Sequence, residues 1–158
     1  MTANNPNPAP YLRTLQTLFA GLLMGQIGIF IVMWLFVRPP VTPGFYQKPE
    51  DLIFTGIWVL AQAISFFLVP RRIEAARSIA DITEKLTAYR AAAIMRFALV
   101  EGAVLICLIG YFFLTANYAL LVLAGLGVAI FSTYFPGRNR VVNDLDLTPN
   151  EEMKLDEA

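Results

Sequence analysis

Four stretches of residues limit what this chain can fold into. Leu15–Val37, Leu52–Val69, Phe97–Leu114 and Tyr118–Phe135 each run apolar for 18 to 23 residues, and a single formal charge, Glu101, falls in all four together. A helix rises ~1.5 Å per residue, so ~20 residues cross a hydrocarbon core ~30 Å thick. A helix of a water-soluble bundle carries a charged face at 3.6-residue spacing, and these stretches carry none. They predict an all-α membrane protein with four transmembrane helices, at about 12–37, 52–79 with a kink at Pro70, 82–114 and 117–135, arranged as two tandem helical hairpins.

The ends and connections read differently. The opening segment, residues 1–11, holds three prolines and three asparagines and predicts a disordered tail. It lacks a basic start, and the apolar run after it is too long for a cleaved signal peptide. Pro39, Pro40, Pro43 and Gly44 keep the first connection from being helical throughout. After Pro70, residues Ile73, Ala76, Ile79, Ile82, Leu86, Tyr89 and Ala93 recur at steps of three and four on an otherwise polar background. That spacing is one apolar stripe on helix, and Asp81 with Glu84 has the form of a capping box opening a new helix. Helices two and three are therefore expected to extend beyond the membrane as a paired hairpin. In the tail, residues 137–158, Thr148, Pro149 and Glu151 mark a short helix over 149–155.

Basic residues orient the spans. Arg13, Arg71, Arg72, Arg77, Lys85, Arg90, Arg96, Arg138, Arg140 and Lys154 fall on one side, and only Arg38 and Lys48 on the other. Ten against two puts both termini and the middle loop in the cytoplasm. Trp34, Trp58, Tyr111 and Tyr118 are then expected near the outer interface. Equal numbers of acidic and basic residues, 12 each, give no reason to expect a nucleic-acid partner. The partners expected are the lipid bilayer and either a second copy of the chain or another protein of a membrane complex.

Internal similarity links the two hairpins. A shift of 77 residues places Arg13 on Arg90, Gly25 on Gly102 and Phe36 on Phe113; a shift of 66 places Ala63 on Ala129, Pro70 on Pro136 and Arg72 on Arg138. Glu101 falls opposite Met24, so the carboxylate belongs to the second hairpin alone.

Glu101 sits five residues beyond Arg96, ~8 Å into the core if the core begins there. A carboxylate facing lipid costs ~2.5–3.5 kcal/mol at the helix centre on insertion scales. It is expected to face the bundle, with Gln26, Gln62 and Ser65 at overlapping depth and Arg96 available from a neighbouring protomer. Two readings stay open: an interhelical hydrogen-bonding pin, or a carboxylate that carries an ion or proton. Gly21, Gly25 and Gly28, with Ala98 and Gly102, are spaced for close helix packing, inside the bundle or between copies.

No histidine is present, and the one cysteine, Cys107, makes no internal disulfide or metal site. No nucleophile–base pair, metal cluster or phosphate loop points to an enzyme, and no cofactor is expected.

The segment from Tyr89 to Asn117 resembles a family of small bacterial four-helix membrane proteins of unassigned function. Tyr89, Arg90, Ala98, Glu101, Gly102, Thr115, Asn117, Pro136, Arg138, Asp144 and Leu145 carry the resemblance. It implies the four-helix fold and a place in the bacterial cytoplasmic (inner) membrane. The same helix is similar, more weakly, to the ion-carrying helix of the rotary ATPase proteolipid. That family places its carboxylate on the second helix of a hairpin, whereas Glu101 lies on the first. The resemblance implies no activity; the role expected from the chain as a whole is structural or accessory, and the alternative is ion or proton translocation through Glu101.

Overall fold

A computed structural model describes residues 9–41, 43–45 and 48–156. The disorder expected for the N-terminal tail falls mostly on residues 1–8, outside the described residues. The fold is helical. α1 spans Ala9–Phe36, α2 Pro49–Arg77, α3 Ile82–Ile109, α4 Tyr118–Ser132, α5 Arg138–Leu145 and α6 Pro149–Asp156. A wide π-helical turn, Gly110–Thr115, continues α3. Three helical segments are long and apolar enough to cross a membrane: Leu12–Phe36, Pro49–Arg77 and Ile82–Thr115. α4 is apolar but has 15 residues, ~22 Å of helix against a core of ~30 Å.

α3 is the axis of the bundle. It packs most extensively on α2, next on α4, and more sparsely on α1. Phe19 meets Phe97 at 5.4 Å and Trp34 meets Phe112 at 6.4 Å between ring centroids. Both pairs have the same sequence offset, so α1 and α3 run parallel and side by side. Phe131 of α4 stacks on Phe19 at 4.8 Å and lies 5.5 Å from Phe97. Such ring pairs add ~0.5–1.5 kcal/mol each beyond their buried area.

The apolar stripe between α2 and α3 does what its spacing predicts. Ile73, Ala76, Ile82, Leu86, Tyr89 and Ala93 are buried, and Ile79 packs against them. The Asp81 carboxylate caps α3, accepting from the Glu84 amide at 2.9 Å. α2 continues in helical form past Pro70 to Arg77. Pro70 is exposed, and burial of Ile73 and Ala76 on α3 holds the turns beyond it. Pro136 behaves differently from Pro70: α4 has already ended at Ser132. The Ser132 and Thr133 hydroxyls donate to the Val128 and Ile130 carbonyls at 2.9 and 2.7 Å, which competes with continued helix.

The tail holds one helix more than expected. α5 docks on the α2–α3 hairpin through Val141, Leu145 and, just after it, Leu147, all buried. Arg77 Nε donates to the Asp144 carbonyl at 2.7 Å, and the Tyr89 hydroxyl donates to Asp144 Oδ2 at 3.2 Å. α6 is pinned by Lys85 Nζ to Glu151 Oε1 at 2.7 Å and by Arg138 to Glu152 at 3.2 Å. The Lys85 ammonium holds the Glu151 carboxyl down to about 2, helped by the Thr148 amide.

Candidate functional site

The polar side chains inside the bundle fall into three levels. At the end that carries the first loop and the α3–α4 turn, Asp51 is buried in the first turn of α2. Its Oδ2 accepts from the Lys48 amide at 2.9 Å and from Asn117 Nδ2 at 2.8 Å. Asn117 also caps α4, its Oδ1 accepting from the Ala119 amide at 2.9 Å. Gly44 joins in: its amide donates to the Ala116 carbonyl and its carbonyl accepts from the Tyr118 amide, at 3.2 and 3.0 Å. These bonds clamp the first loop onto the α3–α4 turn. Gly110 makes that turn dense, because a Cβ there would lie 2.8 Å from Leu120 Cδ1 and 3.1 Å from the Phe54 ring. Asp51 and this clamp escaped sequence reasoning. An acidic residue at the mouth of an apolar run reads as an exposed helix start, and only the fold brings Asn117 to it.

At the end of the bundle nearer the α2–α3 extension Arg96 is buried. Its guanidinium lies 4.6 Å from the centre of the Tyr134 ring, and Arg140 lies 5.4 Å from the same ring. Arg140 also donates to the Thr133 carbonyl. Arg96 is thus a cation on an aromatic face, and its Nε has no hydrogen-bond partner.

The middle level holds Gln26 on α1 with Trp58, Gln62 and Ser65 on α2. Gln26 is 1% exposed, and neither its Oε1 nor its Nε2 is bonded. Trp58 Nε1, Gln62 Nε2 and Ser65 Oγ are likewise buried and unpartnered. Trp58 is half-buried. Its Nε1 is turned inward, 3.4 Å from where a Cβ on Gly127 would stand. Nine residues separate it from the start of α2, ~14 Å of helix.

Glu101 does not join this level. The interior stripe of α3 is Phe97, Val100, Val104, Cys107 and Leu108, continued by Tyr111 in the π-helical turn, all buried. Glu101 stands at the edge of that stripe, half-buried, beside the exposed Ala98 and half-buried Leu105. The expected hydrogen bonds to Gln26, Gln62 or Ser65 are not made, since the atoms that would make them are unpartnered. The depths overlap; the rotation about the helix axes does not bring the groups together. Arg96 of the same chain is turned to Tyr134.

Expected close packing at the small residues also differs within the chain. Gly21, Gly25, Gly28 and Gly102 would each accept a Cβ with nothing within 4 Å, and Ala98 is exposed. None of them brings two helices of this chain together. Gly127 does: a Cβ there would lie 2.5 Å from Val104 Cγ2. Two clefts flank α4. One, between α1 and α4, includes Gln26; the other, between α2 and α4, includes Trp58 and Gln62.

Comparison with family models, with characterised proteins and with solved structures finds no match.

Proposed function

We propose that this chain is an integral protein of the bacterial cytoplasmic membrane with a structural or accessory role. In this reading it crosses the bilayer four times, as two tandem hairpins, with both termini and the α2–α3 extension in the cytoplasm. It belongs with the small four-helix proteins it resembles, works as a small homo-oligomer or as a subunit of a membrane complex, and performs no catalysis.

The carrying observation is the outer surface of the bundle. Met24, Val32, Leu35, Ile53, Leu60, Phe66 and Phe67 are all more than half exposed. An apolar belt of that extent is covered by lipid or by protein. The polar tail helices, by contrast, dock on the extension rather than on the belt. The open glycine positions on α1 and α3 favour a partner helix as part of that cover. The test is extraction followed by mass. The chain should stay with membranes through alkaline carbonate and, in mild detergent, run as a multiple of 17.6 kDa or with a stoichiometric partner. Release by carbonate would refute the integral reading, and a lone monomer would refute the assembly.

The unpaired state of Glu101 supports a second reading, ion or proton transfer. A pin needs a partner, and Glu101 has none among the described residues. Proton uptake by liposomes containing the protein, abolished by Glu101→Gln, would establish it; no uptake above empty liposomes would end it.

A further inference from the structure

The cleft between α2 and α4 ends at a pair of arginines. It measures about 650 Å³ and opens sideways on the apolar belt, where Val59, Phe66, Ala129 and Thr133 on its margins are exposed. From Trp58 to Phe66 it follows α2 for ~12 Å of helix. No charged side chain among the described residues lines it. Thr133 and Tyr134 form its end nearer the α2–α3 extension.

Both cations gather at that end. The Arg96 guanidinium lies 4.6 Å and the Arg140 guanidinium 5.4 Å from the centre of the Tyr134 ring, and Arg140 donates to the Thr133 carbonyl. Arg140 has Asp144 at 3.6 Å, a carboxylate that also accepts from the Tyr89 hydroxyl. Arg96 has neither a hydrogen bond nor an ion pair among the described residues, although it is only 8% exposed. Of its guanidinium nitrogens, Nε alone is both enclosed and unbonded. The terminal pair is unbonded too, and so is not enclosed. A cation taken this far out of water calls for a counter-charge, and a ring face supplies only part of one. With Asp144 serving Arg140, none remains for Arg96.

We propose that the cleft and the two arginines form a single site for an anionic phospholipid, with an acyl chain along α2 and α4 and the phosphodiester against Arg96 and Arg140. Guanidinium groups bond phosphate oxygens two at a time. Basic pockets between spanning helices take anionic head groups at the cytoplasmic face. The volume falls within the ~300–1,000 Å³ usual for ligand pockets. The supply of lipid rests on the membrane reading, which carbonate extraction tests; head-group preference in detergent tests the site apart from it.

The experiment is native mass spectrometry of the full chain in detergent, titrated with dioleoyl phosphatidylglycerol, dioleoyl phosphatidylcholine or inorganic phosphate. Phosphatidylglycerol should add one molecule per chain. Phosphatidylcholine, whose choline offsets the phosphate charge, should bind about tenfold more weakly, the loss of one charge-assisted contact. Arg96→Met and Arg140→Gln should each erase most of that preference. Arg71→Gln combined with Arg72→Gln, at exposed positions on α2 that the site does not use, should keep it. Ala129→Phe places a ring in the cleft and should weaken both lipids alike. Equal binding of the two lipids by the natural chain would overturn the proposal. So would a loss of preference in the Arg71 and Arg72 variant as large as in Arg96→Met, because general surface charge would then explain it. Displacement of phosphatidylglycerol by an equal concentration of phosphate would assign the arginines to a free anion instead, and lipid adducts unchanged in Ala129→Phe would remove the acyl chain from the cleft. If Arg96→Met fails to fold, Arg140→Gln and the two lipids on the natural chain still decide the question.

Discussion

Replacing Gly127 by alanine tests the packing at the centre of the bundle, and replacing Gly125 supplies its control. Both glycines lie on α4, two residues apart. Either substitution gains helix propensity, ~0.8–1.0 kcal/mol in water, and that gain is common to both. The surroundings differ. At position 125 the new methyl meets nothing within 4 Å, while at 127 it stands 2.5 Å from Val104 Cγ2 and 3.4 Å from Trp58 Nε1. Val104 is buried and β-branched, so it cannot rotate away cheaply. Overpacking of this kind costs ~1–3 kcal/mol. Gly127→Ala should therefore be less stable than Gly125→Ala by about that amount, with the propensity term cancelled. The measurement is reversible unfolding in mixed micelles by denaturing detergent, followed by Trp fluorescence. Val104→Ala should restore Gly127→Ala most of the way, because it removes the atom that clashes, and the cycle isolates the pair. Equal stability of the two single variants, or no rescue by Val104→Ala, would refute the close approach of α3 and α4 at this level.

Phe131→Ala removes the ring shared by Phe19 and Phe97 and should cost ~3–5 kcal/mol in the same unfolding assay; a loss below ~1 kcal/mol would mean the triad does not form. The Glu151 carboxyl is held down to about 2 from an ordinary 4.5. The contribution of the Lys85–Glu151 pair is thus complete above pH ~4.5 and lost as pH falls toward 2. Hydrogen exchange across residues 149–156 should quicken over that range, and Lys85→Met should quicken it already at neutral pH and shrink the acid step to what the Thr148 bonds to Glu151 sustain. Glu101→Gln and Glu101→Leu should both leave unfolding stability within ~1 kcal/mol or raise it, because no partner among the described residues is stranded; a large loss in the leucine variant would contradict this.

Much of this architecture was legible because it depends on one dimension of the sequence. Run length and charge give the spans, and the steps of three and four from Ile73 to Ala93 give the extension of α2 and α3. What was not legible depends on rotation and on distant pairing. Glu101 was matched to Gln26, Gln62 and Ser65 by depth alone. The stripe Phe97, Val100, Val104, Leu108 was the available signal that the interior face of α3 lies beside Glu101 rather than through it. α5 escaped because eight residues with two arginines look like solvated tail; Val141 and Leu145, with Leu147 just beyond the helix, are buried, Val142 packs beside them, and their value comes from joining the core that holds Ala76 and Tyr89. The Asp51–Asn117 clamp joins residues 66 apart, and no local pattern announces it.

The most direct test of the central claim, a membrane bundle with both termini in the cytoplasm, is accessibility of single cysteines in intact cells. Native Cys107 is fully buried and serves as the silent background. Val41→Cys lies in the first loop and Ser78→Cys between α2 and α3, both at exposed positions. A membrane-impermeant maleimide should label Val41→Cys in intact cells and Ser78→Cys only after the cells are opened. Labelling of Ser78→Cys from outside with protection of Val41→Cys would contradict the orientation, and labelling of both in intact cells would contradict a bundle that spans the membrane between them.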